Sequence, residues 1–265
     1  MRLPGIIAIA ALGVLLAGFA RADTLDDVKE AGRIRVGMDQ SVKPFAFRDP
    51  TSGEIVGSDV NVAKMIAADL KVSLEIVPLT AANRIPFLLS GRVDIVVSSL
   101  TRTAERMKVV AMSRPYGGSY DVIAAPKSVD IKSLEDLAGK RVAITRGTYL
   151  DQRLTALAPA STEIVRFDGE DTSLAAVTSG QFDIVAKNVA ILPEIIKGTG
   201  DRGFEQKFVV SDLPMSIGMR KEDASMQKWI DDWITAHLAD GSLDKAFSEY
   251  QAFSLPEFVT QWKPE

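Results

Sequence analysis

An arginine that follows a hydroxyl-rich segment is the first pattern that could do chemistry. Residues 93–97 are almost wholly apolar, which predicts a buried strand. The residues directly after this strand are Ser98, Ser99, Leu100 and Thr101. Arg106 falls in the first turn of a predicted helix that Thr103 can cap. Because a guanidinium can donate two hydrogen bonds to one carboxylate, the pattern fits an acid-binding site. From the residues alone, a surface arginine paired with Glu105 or Asp94 is the favoured interpretation.

A second candidate anchor lies at a predicted strand-to-helix junction. The strand covers residues 142–144, and the junction consists of Arg146, Gly147, Thr148 and Tyr149. The first turn of a helix has free N–H groups and partial positive charge, which suit an anion. Thr148 can also cap this helix, with Asp151 three residues on. Both roles are compatible, because the hydroxyl and the ligand-facing N–H are different groups.

Composition excludes several kinds of site. The 265 residues carry a formal net charge of −4, so no basic excess favours nucleic acid. The chain has no cysteine and one histidine, His237. A thiolate metal site is therefore excluded, and a catalytic triad would depend on His237 alone. We expect no cofactor, no metal site and a monomeric protein.

The elements that must position these residues alternate between strand-like and helix-like runs, which predicts an α/β fold. Strands are predicted at residues 33–37 and 74–77, and helices at residues 59–70 and 84–89. Ser58 or Asp59 is the expected N-cap of the first of these helices. Residues 215–220 and 224–238 predict a further strand and helix near the C-terminus.

A repeated pattern predicts two similar lobes. Residues 90–96 have the order Ser-Gly, two further residues, an aspartate and an apolar run, and residues 179–185 repeat it. Turn-rich residues 113–119 are expected to separate the two units, and a second break is expected near residues 211–214. We therefore expect a first lobe of residues 23–115 and 215–265 and a second lobe of residues 116–214. Each would be a mixed, mostly parallel sheet flanked by helices, with two hinge crossings between them.

The N-terminus is typical of an export signal. A basic start is followed by an uncharged apolar run over residues 6–19 and by Ala20-Arg21-Ala22, a small-residue cleavage pattern. We predict a signal peptide of residues 1–22 and a periplasmic location. An uncleaved membrane anchor is the alternative, but the run is short for a bilayer span.

Ordered short motifs give the sequence a family resemblance. The chain resembles the polar amino acid type of periplasmic solute-binding protein of ABC importers, bacterial extracellular solute-binding protein family 3. The motifs that carry the resemblance lie at residues 35–39, 44–45, 57–60, 83–86, 90–95, 98–106, 113–116, 134–148, 217–223 and 240–243. The resemblance implies the two-lobe, type II periplasmic-binding-protein fold.

The resemblance also implies roles for the candidate residues. Family members hold the α-carboxylate of the ligand with positions that match Ser98–Thr101 and Arg106. Asn188 stands where most amino acid binders have an aspartate for the ammonium group, so one charge-assisted contact is missing. Asp39 and Glu170 are the acids that could compensate. Glu170 precedes a helix expected to be capped by Thr172, and a solvated surface acid is the favoured alternative for it.

The end of the site that would take the ligand's side chain is also atypical. Val42 and Ala81 stand where the family usually has aromatic rings. Arg84 matches an arginine that acidic-amino-acid binders use, but it could instead neutralise Asp39 across the pocket. With Arg102, Arg146 and Lys187 nearby, the charges favour an anionic ligand slightly.

The resemblance implies a binding protein and not an enzyme. The expected ligand is a polar amino acid or a related small carboxylate, delivered by hinge closure to the permease of an ABC transporter in the inner membrane. The alternative is a periplasmic lyase or dehydratase of the same fold that acts on a cyclic carboxylate.

Overall fold

The computed structural model describes residues 24–251 and 253–263. The predicted signal peptide lies outside these residues. The helices are α1 Thr24–Ala31, α2 Ser58–Leu70, α3 Arg84–Leu89, α4 Ala104–Met107, α5 Tyr149–Leu157, α6 Glu170–Thr178, α7 Leu192–Thr199, α8 Ala224–Ala239, α9 Ser242–Ser248 and α10 Glu257–Thr260. Short 3-10 helices occur at Ala81–Asn83, Glu135–Leu137, Val189–Ile191 and Gly200–Arg202.

The strands form one large sheet and one small sheet. They are β1 Arg33–Met38, β2 Ser41–Val42, β3 Ala46–Arg48, β4 Ile55–Val56, β5 Ser73–Pro78, β6 Ile95–Val96, β7 Ala111–Pro126, β8 Arg141–Thr145, β9 Glu163–Phe167, β10 Val185–Asn188 and β11 Phe204–Met219. The large sheet has the order β5-β1-β6-β11-β7-β10-β8-β9, and β2-β3-β4 form the small one. Pairings among β5, β1 and β6, and among β10, β8 and β9, are parallel. The fold is therefore α/β with a mostly parallel sheet, as the sequence predicts.

Two 16-residue strands, β7 and β11, join the halves of the large sheet. They pair antiparallel along their length, from Phe204↔Pro126 to Met219↔Ala111. We call the part built around β5, β1 and β6 the first lobe, and the part built around β10, β8 and β9 the second lobe. Both long strands pass from one lobe to the other, so the two crossings between the lobes lie next to each other.

The prediction of turn-rich breaks at residues 113–119 and 211–214 is wrong about local structure, because both segments lie within strands. The glycines in β7 serve close packing. A Cβ on Gly118 would lie 2.6 Å from the ring of Phe258, and a Cβ on Gly117 would lie 3.0 Å from the ring of Phe247. These positions have no side chain so that the C-terminal helices can pack against the crossing strands.

The repeated Ser-Gly pattern marks equivalent helix ends in the two lobes. Helix α3 ends at Leu89 and helix α6 at Thr178, and Ser90 and Ser179 are their C-caps. Gly91 and Gly180 follow with φ of 69° and 86°, a left-handed conformation that glycine adopts without steric cost. The repeat therefore positions the strands β6 and β10, which lead to the cleft.

Helix α2 begins differently from the prediction. Its N-cap is Gly57, not Ser58 or Asp59. A Cβ on Gly57 would lie 2.2 Å from the carbonyl oxygen of Phe45, so only glycine fits there. Ser58 and Asp59 are instead buried and bond to other segments, Ser58 to Gln251 and Asp59 to the loop after β6.

Apolar side chains fill both lobes. One cluster covers β1, α2 and α8 and extends to β10 and β11, and a second lies around Leu137, Ile144 and Leu154 in the second lobe. Within the described residues, no helix is long and apolar enough to cross a bilayer.

Candidate functional site

A cavity lies between the lobes, where the C-terminal ends of the parallel strands face one another. Its volume, taken as the space open to the centre of a water-sized sphere, is about 60 Å³. The residues from the sequence prediction that line it are Asp39, Val42, Ala81, Arg84, Ser99, Thr101, Thr148, Tyr149, Glu170 and Asn188. Those that do not line it are Ser98, Leu100, Arg106, Arg146 and Gly147. The cavity also takes in Lys187, which the sequence analysis names as a nearby positive charge. The lining residues that were not predicted are Phe45, Asp121, Thr145, Leu150, Ala186, Ile191 and Leu213.

Arg106 is buried beside the cavity and bridges the lobes. Its Nη1 donates to the carbonyl oxygen of Thr101 at 2.8 Å, and its Nη2 donates to that of Gly147 at 3.4 Å. Burial, and then repulsion by Arg84, lowers the pKa of Arg106 to about 10, so it stays charged at neutral pH. The alternative of a surface pair is wrong, because Asp94 bonds to Arg35 and Glu105 to Lys108.

Arg84 is the lining cation that lacks an ionic partner among the described residues. Its residue is 6% exposed, and among the described residues it has no hydrogen bond and no ion pair. Burial lowers the pKa of Arg84, and the charges of Asp39, Asp59 and Glu170 oppose this effect. The alternative in which Arg84 merely neutralises Asp39 gains no direct contact, because Asp39 bonds to Ser41 at 2.7 Å. The guanidinium therefore keeps its donors free for another group.

Asp59 fixes the loop after β6. Its carboxylate accepts from the hydroxyl of Tyr116 at 2.6 Å and from the N–H of Ser99 at 2.8 Å. Burial raises the pKa of Asp59 to about 6. Ser98 also holds this loop in place, because its hydroxyl accepts a hydrogen bond from the N–H of Asp39 at 3.0 Å. Ser98 and Leu100 thus support the cavity wall without lining it, and Leu100 is packed in the apolar core.

Helix α5 presents its N-terminus at the cavity, on the second-lobe side. Thr148 caps it, accepting from the N–H of Asp151 at 3.1 Å, as the sequence predicts. Gly147 has a φ of 75°, and its N–H also bonds to Asp151. Arg146 points elsewhere, because its side chain is half exposed and pairs with Asp168 at 2.7 Å.

Glu170 and Lys187 form a buried ion pair on the second-lobe wall. Lys187 Nζ lies 2.5 Å from Glu170 Oε1, and the hydroxyl of Thr145 donates to Glu170 Oε2 at 2.5 Å. The interpretation of Glu170 as a solvated surface acid is therefore wrong. Its helix starts at Glu170 with Gly169 as N-cap, so the predicted Thr172 cap is wrong too. Lys187 neutralises the charge of Glu170 internally.

Asn188 has little acceptor capacity left for a ligand. Its Oδ1 accepts from the hydroxyl of Ser119 at 2.6 Å and from the N–H of Ala190 at 2.9 Å. An amide oxygen has two lone pairs, and both are used by these bonds. Asn188 is therefore a structural cap for the segment after β10 as well as a lining residue.

Asp121 is the charged lining residue that sequence reasoning missed. It lies on β7, is 3% exposed, and accepts one long hydrogen bond, from the hydroxyl of Ser211 at 3.4 Å. Burial raises its pKa to about 7. The available signal was a single acid directly before the apolar residues 122–125. Among the described residues, no group of three or more His, Cys, Asp and Glu side chains could hold a metal ion.

Comparison with known proteins places the chain in a family. Residues 34–253 match the bacterial extracellular solute-binding proteins, family 3. The ABC transporter glutamine-binding protein GlnH of Bacillus subtilis is 28% identical, over 87% of this chain and 85% of its own length. The L-cystine-binding protein TcyJ of Escherichia coli K12 is 27% identical, over 93% of both chains.

Solved structures agree with this result. A mutant of ArgBP from T. maritima superimposes with a TM-score of 0.78 at 33% identity, over 86% of this chain and 98% of that one. AncCDT-1, an ancestral amino acid-binding protein described as a precursor of cyclohexadienyl dehydratase, gives 0.77 at 32% identity, over 87% of this chain and 100% of that one. Together with the two-lobed sheet and the charged cavity between its halves, these matches show that the chain belongs to the bacterial extracellular solute-binding proteins, family 3.

Proposed function

We propose that the protein binds a polar amino acid or a related small carboxylate in the cavity between its lobes and delivers it to an ABC transporter. The observation that carries the proposal is Arg84, a buried guanidinium on the cavity wall without a partner among the described residues. Burying an unpaired charge is costly, so a ligand anion that bonds to it gains much of its affinity there. Two relatives are named as a glutamine-binding protein and an L-cystine-binding protein, and these names support the proposed ligand class.

The mechanism we propose is hinge closure. The expected boundaries, at residues 115/116 and 214/215, lie near each other in the β7–β11 pairing, where Ser216 pairs with Pro115 and Met215 with Gly117. The pairing register shifts between Met215 and Ser216. A local irregularity in two adjacent strands is a suitable place for bending. Ligand contacts made only in the closed form would then bias the lobes toward closure.

Thermal unfolding in the presence of small molecules tests this proposal. We expect one class of amino acids or dicarboxylates to raise the unfolding temperature of the protein, because a ligand stabilises the state that binds it. Arg106→Ala should remove this stabilisation, since it removes both the guanidinium and the Arg106–Gly147 contact between the lobes. Arg141→Ala, which removes an exposed pair with Glu163, is the matched control and should keep it. Full stabilisation of Arg106→Ala by the ligand would contradict the role of Arg106.

The proposal includes export to the periplasm and contact with a membrane permease. It predicts that the exported protein starts at Asp23, after removal of residues 1–22. N-terminal sequencing of the protein recovered from the periplasm measures this. A mature chain that starts at Met1 would contradict the cleavage.

A lyase is the second candidate function. Asp121 favours it, because a buried carboxyl with a pKa of about 7 suits general acid catalysis. The similarity to AncCDT-1 points in the same direction. Turnover of prephenate or arogenate by the purified protein would support this function, and an Asp121→Asn variant with unchanged turnover would argue against Asp121 as its acid.

A further inference from the structure

Asp121 is a buried carboxylate that lacks an ionic partner in the described protein. It lines the cavity, and no lysine or arginine of the described residues lies within 4 Å of its oxygens. The charges that act on it from a distance are Arg106, which favours its ionised form, and Glu170, which opposes it. Its one hydrogen bond, from Ser211, is too long to replace the water that burial removes.

The other acids around the cavity are already engaged. Glu170 is held by Lys187 and Thr145, and Asp59 by Tyr116 and Ser99. Asp39 accepts both the N–H and the hydroxyl of Ser41 on one oxygen. Asp121 is therefore the lining acid with the most unused acceptor capacity.

Asp121 lies opposite Asn188 in the large sheet. The two residues pair directly across β7 and β10. Opposed residues of an antiparallel pair lie on the same face of the sheet, with their Cβ atoms about 5 Å apart. Because the oxygen of Asn188 is used within the protein, the negative charge on this part of the wall comes from its neighbour on β7.

A cavity with an unpaired buried guanidinium and an unpaired buried carboxyl group fits a ligand that carries both charges. Arg84 supplies the cation, and neither group has an ionic partner in the described part of the chain. We propose that Asp121 is the residue of this chain that accepts hydrogen bonds from the cationic nitrogen of a zwitterionic ligand, whose anionic group is held by the guanidinium of Arg84. This inference rests on the proposed binding function and narrows its ligand class by excluding acids without a cationic nitrogen.

Matched ligand pairs test the ligand class. The probes are the L-amino acids, each beside the acid that lacks its α-ammonium group, such as L-glutamate with glutarate and L-aspartate with succinate. We expect thermal stabilisation by at least one amino acid and at least tenfold weaker binding of its ammonium-free partner in calorimetry. Equal affinity for the two members of a pair would overturn the inference and leave the binding function standing. No stabilisation by any probe would overturn both.

Asp121→Asn tests the residue. Loss of a charged hydrogen-bond partner should weaken binding of the amino acid about ten- to a hundredfold, and should leave the affinity for the ammonium-free acid within about threefold. Asp212→Asn is the matched control, because Asp212 is an exposed acid on the neighbouring strand β11. In the double variant D121N/N188D the carboxylate moves to the opposed position, and most of the affinity should return. Binding of the amino acid by Asp121→Asn within twofold of the wild type would overturn the inference.

Discussion

The charged side chains of the cavity differ in whether the protein itself satisfies them. Lys187 and Glu170 neutralise each other at 2.5 Å, whereas Arg84 and Asp121 have no ionic partner among the described residues. A buried charge without a partner costs folding free energy, and a bound ligand of opposite charge would offset that cost. A binding site of this kind exchanges some folding stability for affinity.

The Lys187–Glu170 pair gives a stability prediction. Lys187→Met leaves a buried carboxylate without its cation and should lower the free energy of unfolding by about 3–5 kcal/mol at pH 7. The double variant E170Q/K187M should recover most of this loss, because it removes the uncompensated charge. Urea unfolding of the three proteins measures the effect. A loss below about 1 kcal/mol in the single variant would contradict a buried ion pair.

Asp121 gives a pH prediction. Its pKa is raised to about 7 in the folded protein, against about 3.9 in an unfolded chain. Between these values the folded state holds a proton that the unfolded state has lost, so this group makes stability fall as pH rises. Asp121→Asn removes the effect. It should raise the free energy of unfolding of the ligand-free protein on the order of 2–4 kcal/mol at pH 8, and by little near pH 4.

Unfolding of the wild type and of Asp121→Asn at both pH values provides the check. Asp59, whose pKa is raised to about 6, acts in the same direction but is present in both proteins, so it cancels in the comparison. An Asn variant that is equally stabilised at pH 4 and pH 8 would show that titration of Asp121 is not the cause.

At the level of elements, the correct predictions are of helices and strands that depend on local sequence patterns. Apolar runs located β1, β5 and the C-terminal helix α8 to within a few residues, and the Ser-Gly repeat identified matching helix ends. Where glycine serves packing between distant elements, as at Gly118 against α10, the same residue type suggested a turn that does not exist. Local patterns do not reveal which distant segment meets a glycine.

The site residues divide in the same way, into those that local sequence identifies and those whose roles depend on distant segments. Thr148 as a helix cap and Arg84 as a lining residue follow from local position in the sequence. Asp121 could not be placed in this way, because its role depends on β7 crossing between the lobes beside β10. The burial of Glu170 depends on Lys187 from another strand.

Gly147 at the start of α5 gives a prediction for the closed form. A Cβ there would lie 2.9 Å from the Cα of Ala82, which belongs to the first lobe. Gly147→Ala should therefore hinder closure and weaken ligand binding at least about tenfold, besides losing about 1–2 kcal/mol of stability to its positive φ. Calorimetry and urea unfolding measure the two effects separately.

Gly180→Ala is the matched control for this variant. Gly180 also has a positive φ, but a Cβ on it meets nothing within 4 Å. It should lose similar stability and keep its affinity. Equal affinities of the two variants would show that Gly147 does not limit closure.

For the whole molecule, contacts across the cleft describe a closed arrangement. Arg106 of the first lobe bonds to Gly147 of the second, and Lys43 Nζ lies 2.7 Å from Glu194 Oε1 on α7. The Lys43–Glu194 pair is partly exposed. Such contacts exist only while the lobes are together, so under the proposed hinge closure they would affect how long a ligand stays bound.

Lys43→Ala should shorten ligand residence. A partly exposed ion pair contributes about 0.2–1 kcal/mol, which corresponds to dissociation faster by up to about fivefold. Stopped-flow measurement of ligand release at low salt tests this, because salt screens exposed charges. Lys228→Ala, which removes the exposed Lys228–Asp232 pair within α8, is the control and should leave the rate unchanged. Equal release rates in the two variants would show that the Lys43–Glu194 pair does not stabilise the closed form.

A crystal structure of the protein with the most stabilising small molecule is the decisive measurement for ligand binding between the lobes. We expect density for one small solute in the cleft, with an anionic group against the guanidinium of Arg84 or Arg106 and with contacts to residues of both lobes. A solute bound on the outer surface, or one held by a single lobe with the guanidiniums turned away, would contradict it.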